Sequence, residues 1–291
     1  MIVDIHTHLW PPQNTPEKQK SYFESRGLKI EKIMSAEGLI ANMDGYADVS
    51  VIATLSMAPA SNSDLESYHR YVSDCIKKYP GKFYAFCCVD PLGGSESVGY
   101  LKKYLGSGDF IGLKLHPNVQ SFYPNDERVF PVYECLEKYG LPVLFHSGGI
   151  GVNPFIDAYA SIDAIEEVAC RFPDMPIIMG HAGRGKHFDT ASVLRKHPNV
   201  YADVSANFAR LKGYEHMSLL ELIKTVKIWT GTTEKLLFGS DYPFYTDKNT
   251  TDSLDMIANS DSGPVTSEDI NNIKYNNAYA FLEKYVFCNK K

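Results

Sequence analysis

No run in this 291-residue sequence approaches the roughly 18 apolar residues of a membrane span. The N-terminus also lacks the basic and apolar regions of a secretory signal. Charge of one sign is lacking too: 29 Lys and Arg stand against 35 Asp and Glu, mixed along the chain, for a net charge of −6. That balance argues against nucleic acid or an anionic membrane as the main partner. The six cysteines (Cys75, Cys87, Cys88, Cys135, Cys170 and Cys288) form no C-x-x-C pair, which excludes a zinc knuckle or thioredoxin-like motif. They read as small hydrophobes in a reducing compartment, so the expected location is the cytoplasm. No linker, composition shift or repeat divides the chain, and one domain is expected over residues 1–291.

Hydrophobic residues at 44% are enough for a large core that needs no staple. Short apolar runs, rich in branched residues, begin with Ile2–His8 and recur as Val49–Leu55, Phe83–Val89, Ile111–His116, Pro142–His146, Pro176–His181, Val200–Val204 and Leu236–Asp241. Amphipathic stretches separate them, such as Asp64–Tyr79 with Leu65, Tyr68, Val72, Cys75 and Ile76 in one stripe. Eight strands alternating with helices indicate a parallel sheet, and at this length they indicate a (β/α)8 TIM barrel. The alternative, a doubly wound sheet, usually shows a Gly-rich loop after its first strand. Here that place holds His-Thr-His-Leu-Trp. The long polar connection at about residues 9–35 reads as a lid-like insertion.

Catalytic groups of such barrels lie at the C-terminal ends of strands. Those ends hold His6 and His8, Lys114 and His116, His146, His181 and Asp241. Successive strand side chains alternate between faces, so His6 and His8 share one face, as do Lys114 and His116. Five of the nine histidines fall at these ends, where ionisable groups are costly unless paired or bound to metal. Several imidazoles and one carboxylate with open positions make a catalytic metal site. The other histidines, His69, His187, His197 and His216, read as solvated or packed. Trp10 reads as a pocket wall or a hydrophobic plug. Arg184 reads as a carboxylate clamp or a surface ion pair. Tyr242 follows a strand end and stands with His116 among the weaker substrate-binding candidates.

As a set, His-x-His on the first strand, Lys on the fourth, His on the fifth, Gly-His on the sixth and Asp on the eighth resembles the amidohydrolase superfamily. The segments Phe145–Gly148, Gly180–Gly183 and Phe238–Pro243 are most similar to its amidohydrolase-related branch. That branch includes aminocarboxymuconate-semialdehyde decarboxylase, resorcylate-type decarboxylases and lactonases. Lys114-Leu115-His116-Pro117 also resembles the Lys-Leu-Tyr-Pro of dihydroorotases, whose carboxylated lysine bridges two metals.

The resemblance implies that His6, His8 and Asp241 hold a first divalent ion. It implies that His146 joins them in a one-metal site, or pairs with His181 on a second ion bridged by carboxylated Lys114. Zinc is the expected ion, with manganese as the alternative. Asp241 and His181 are the expected catalytic residues. The leading expectation is a metal-dependent hydrolase of a small amide, lactone or ester; the alternative is a decarboxylase of a small aromatic or unsaturated acid. The expected partner is a small-molecule substrate, and homo-oligomer formation stays open.

Overall fold

In the computed structural model the described residues are 1–288 apart from positions 57, 152 and 261. Eight strands run β1 (Val3–Thr7), β2 (Val49–Ala53), β3 (Phe83–Cys87), β4 (Phe110–Leu115), β5 (Val143–His146), β6 (Ile177–Gly180), β7 (Val200–Asp203) and β8 (Leu236–Leu237). Each pairs in parallel with the next, in chain order. The ring closes where Ile5 N–H donates to the Phe238 carbonyl at 3.0 Å, Asp241 N–H to His6 at 2.8 Å and His8 N–H to Tyr242 at 2.7 Å. The fold is therefore the expected (β/α)8 barrel. Its closing strand is shorter than the apolar run suggests, and Asp241, past its end, lies outside the extended region at φ +67°.

Nearly every strand residue is buried, as a parallel sheet covered on both faces requires. Along β5, Val143 and Phe145 pack in the larger core cluster and Leu144 in the smaller. His146 is two residues beyond Leu144, so it leaves the strand on the Leu144 side.

The connection at 9–35 is not irregular throughout. It carries helices α1 (Glu17–Glu24) and α2 (Ile30–Ile33), whose Phe23, Ile30 and Ile33 reach the core. Sequence reading missed them because only a few apolar residues break a polar run. Trp10 is wholly buried, with its indole N–H donating to Thr15 Oγ1 at 2.8 Å, so it is the plug and not an open wall. Tyr242 is buried too, and its hydroxyl donates to the Ile33 carbonyl at 2.8 Å. That bond ties the segment after β8 to α2.

His69 is packed as expected, accepting the Cys88 N–H at 2.9 Å and stacked 3.9 Å from Tyr104. Burial pulls it down to about 3, so it stays uncharged. Cys75, Cys87, Cys88 and Cys135 are buried and unpaired, whereas Cys170 and Cys288 are exposed. Among the described residues no helix is long and apolar enough to cross a membrane.

Candidate metal centre

β1 delivers His6 and His8 to the C-terminal mouth of the barrel. His8 Nδ1 lies 2.8 Å from the Ala53 carbonyl, which can only accept, so this nitrogen carries the hydrogen. The Nε2 lone pair of an uncharged His8 then faces Asp241 Oδ1 at 3.2 Å. His6 Nε2 lies 4.0 Å from the same carboxylate oxygen. An imidazole lone pair and a carboxylate oxygen repel unless a cation lies between them. One donor atom from each of His6, His8 and Asp241 falls within 4.8 Å of the others, all three residues being buried.

A second grouping of His6, His181 and Asp203 meets the same distance criterion, but its chemistry differs. His6 Nδ1 approaches Asp203 Oδ2 at 2.8 Å, which is a hydrogen bond that orients the ring. Carboxylates in this position hold a ligating histidine in the right tautomer and raise its basicity.

His146 belongs to neither grouping, although the resemblance implied that it joins one. Its Nδ1 lies 3.1 Å from His181 Nε2, its face stacks on His116 at 3.9 Å, and its Nε2 is buried without a partner. A buried nitrogen with no partner is costly in a protein interior, and a bound cation would satisfy it. His116 stands one residue beyond β4, where it caps a short helix, α3 (Pro117–Gln120).

Lys114 is fully buried, with Nζ 3.1 Å from His6 Nε2. An ammonium beside that lone pair is a stand-in for a cation. Burial pushes Lys114 down to about 8, against the upward pull of Asp203 and Asp241. Burial, then the charge of Lys114, holds His6 well below the ordinary imidazole range. Burial, then His181, does the same for His146, and burial, then His6, for His181. Uncharged imidazole is the ligating form, so this donor set fits a divalent ion. His6, His8 and Asp241 would hold it, with His146 Nε2 available.

The lysine carries a measurable consequence for the metal-free protein. Between about pH 8 and its ordinary 10.5, the unfolded chain still holds the Lys114 proton that the folded chain has released. Stability from this group therefore rises with pH across that window. The total is about 3 kcal/mol, at ~1.36 kcal/mol per pH unit. Half-buried Tyr71 and buried Cys87 and Cys88, raised by burial, push the opposite way, so the informative quantity is a difference. Denaturant melts should find Lys114→Met more stable than the native protein by about 3 kcal/mol at pH 7. That advantage should vanish by about pH 10.5; a constant difference would show that Lys114 is not desolvated.

His181 lies just past β6, in five successive residues of positive φ: His181 (+61°), Ala182 (+46°), Gly183 (+71°), Arg184 (+45°) and Gly185 (+88°). Such backbone costs roughly 1–3 kcal/mol at each non-glycine residue and persists only where surroundings impose it. Asn207 Nδ2 donates to the His181 carbonyl at 2.9 Å, Thr190 Oγ1 to Ala182 at 2.8 Å, and Gly183 N–H to Ser147 Oγ at 2.9 Å. Before the turn, a Cβ on Gly180 would come within 3.2 Å of His6 Cε1 and 2.8 Å of the Phe145 carbonyl, so only glycine lets the rings approach. The turn leaves Arg184 exposed, and no ion pair involves it among the described residues.

Asp203 and Ser205, which contact His6 and His181, are residues of this site that sequence reading passed over. Asp203 is the last residue of β7, the same strand-end position that singled out the histidines. It was legible by that rule, but the Val-Tyr-Ala-Asp-Val run reads first as a strand. Nothing in the sequence marks Ser205.

The family model described as "Amidohydrolase" matches residues 3–284. No curated relative matches the chain. Among solved structures, an uncharacterized TIM-barrel protein from Bordetella bronchiseptica is similar, with TM-score 0.72 and 21% identity, over 98% of this chain and 99% of that one. A 2,6-dihydroxybenzoate decarboxylase from Rhizobium gives TM-score 0.68 and 16% identity, over 97% and 98%. A dihydroxybenzoic acid decarboxylase from Polaromonas, with bound manganese and 2-nitroresorcinol, gives TM-score 0.68 and 14% identity, over 97% and 96%. At these identities the likeness establishes the fold.

Proposed function

The chain belongs to the amidohydrolase family, and from that premise we propose that it is a metal-dependent decarboxylase of a small aromatic or unsaturated acid with a hydroxyl beside its carboxylate. The observation that carries this reading is a single convergent donor set, His6, His8 and Asp241, beside a lysine hydrogen-bonded to a histidine. The decarboxylases among the similar structures, one of them titled with bound manganese, support it. The hydrolase expectation asks for a second ion on His146 and His181 with Lys114 between the two, whereas His146 Nδ1 lies 3.1 Å from His181 Nε2, within hydrogen-bond distance.

A bound divalent ion supplies charge that holds the substrate's carboxylate and hydroxyl oxygens and offsets negative charge as it develops. His6, His8 and Asp241 would hold that ion, with zinc or manganese suited to the nitrogen and oxygen donors. Asp241 is the proton carrier in this reading. It delivers a proton to the carbon that bears the carboxylate, where a π-electron pair of the substrate forms the new C–H bond; the carbon–carbon bond then breaks, carbon dioxide leaves, and the pair released from that bond restores the π system. His181 is less suited to this step, because its two nitrogens already face Ser205 and His146.

One observation favours the hydrolase as a second reading. A buried amine pushed down to about 8 is in part free base near neutral pH and can take up carbon dioxide as a carbamate. The two readings separate in one assay. Hydroxybenzoates, unsaturated acids, lactones, amides and esters are incubated with the protein and manganese or zinc. Release of carbon dioxide from an acid is expected. Hydrolysis of a lactone, amide or ester, with no acid decarboxylated, would overturn the decarboxylase reading.

A further inference from the structure

Seven polar contacts behind the candidate metal position form one connected network. Asp203 Oδ2 meets His6 Nδ1 at 2.8 Å, and Asp203 Oδ1 accepts the Ser205 hydroxyl in a short hydrogen bond. Asp203 Oδ1 also accepts the backbone N–H groups of His181 and Ser205, each at 3.1 Å. Ser205 Oγ lies 2.8 Å from His181 Nδ1 and 3.5 Å from His6 Nδ1. His181 Nε2 lies 3.1 Å from His146 Nδ1. Asp203, Ser205 and His6 are completely buried, and His181 and His146 almost so.

The direction of each bond follows from donor counting. A carboxylate only accepts, and a serine hydroxyl has one hydrogen to give. The Ser205 hydrogen is committed to Asp203, so Ser205 Oγ must accept from His181 Nδ1–H. An uncharged His181 then presents a lone pair at Nε2, which must accept from His146 Nδ1–H. That leaves His146 Nε2 as a bare lone pair, and it is the one ring nitrogen of the five-residue chain that is buried without a partner. At the other end, Asp203 accepts from His6 Nδ1–H, which leaves His6 Nε2 bare as well.

We propose that Asp203 and Ser205 are a positioning pair whose hydrogen bonds run in one direction and fix three tautomers. They turn the Nε2 lone pairs of His6 and His146 outward together as metal donors. His181 is on this view a link in the chain and a positioning residue for His146, not a ligand. One carboxylate thus serves both the β1 and the β5 donor, although it touches only the first.

The proposal rests on the metal-dependent reading of the site, and its test separates the two. Nitrogen-15 NMR of histidine-labelled, metal-free native protein should show His6, His181 and His146 each protonated at Nδ1. In Ser205→Ala the His181 and His146 rings should become tautomer mixtures while His6 keeps its pattern. Manganese affinity, measured by chelator competition, should fall by about 10- to 100-fold in Asp203→Asn and by about 10-fold in Ser205→Ala, the range for lost outer partners of metal ligands. A native His146 protonated at Nε2 would overturn the proposal even if metal binds tightly. So would native manganese affinity in both variants. Failure of the native protein to bind any divalent ion would remove the metal reading, while the NMR pattern would still support the hydrogen-bond chain.

Discussion

Asp241→Asn is expected to fold normally and to lose at least about 10²- to 10⁴-fold in kcat, the usual worth of a positioned proton carrier. Asp241 has φ +67°, a conformation that asparagine tolerates nearly as well as aspartate. Its backbone N–H still donates to His6 at 2.8 Å, and its carbonyl still accepts from Phe244 at 3.0 Å. The amide therefore keeps the shape of the turn. What it loses is the charge facing His8 Nε2 at 3.2 Å and the transferable proton. The measurement is kcat at saturating manganese, on an acid identified by the carbon dioxide assay, with a thermal melt as the control for folding. Native kcat in a melt-matched variant would remove Asp241 from its assigned role.

The second large effect is expected from metal removal. Dialysis against a chelator should abolish turnover, by more than about 10³-fold. Without a cation nothing offsets the charge that develops on the substrate. The barrel should persist, because its core is apolar and closed by backbone hydrogen bonds. Lys114 already lies against the bare nitrogen of His6 in the metal-free arrangement. Readdition of manganese or zinc should restore turnover, with metal analysis finding one equivalent per chain. Unchanged activity in metal-free protein would end the metal-dependent reading. Two equivalents would instead favour the bridging lysine and with it the hydrolase reading.

Much of this architecture was legible because it is written in local periodicities. Apolar runs bounded by Gly and Pro marked the strands. A two-residue spacing placed His6 with His8, and strand ends pointed to Lys114, His146, His181 and Asp241. The same reasoning stopped short where an outcome depended on packing between distant segments. Trp10 and Tyr242 stand beside the ligand set in sequence, yet Thr15 and the Ile33 carbonyl claim their polar atoms. α1 and α2 were invisible because their apolar faces are completed by the barrel they cover. His146 and Lys114 reach the mouth as expected, but which atom faces which was beyond the reach of spacing.

By itself the sequence determined the order of strands and helices and the type of side chain offered at each strand end, since alternation and hydrophobic burial act over a few residues. Only the tertiary structure decided that Asp203 lies behind His6, that Ser205 bridges to His181 and that His146 keeps one bare nitrogen. Those facts depend on ring closure, which brings β1, β5, β6 and β7 within hydrogen-bond reach of one another. A hydrogen bond is set by tenths of an ångström between residues that lie up to two hundred positions apart in the chain.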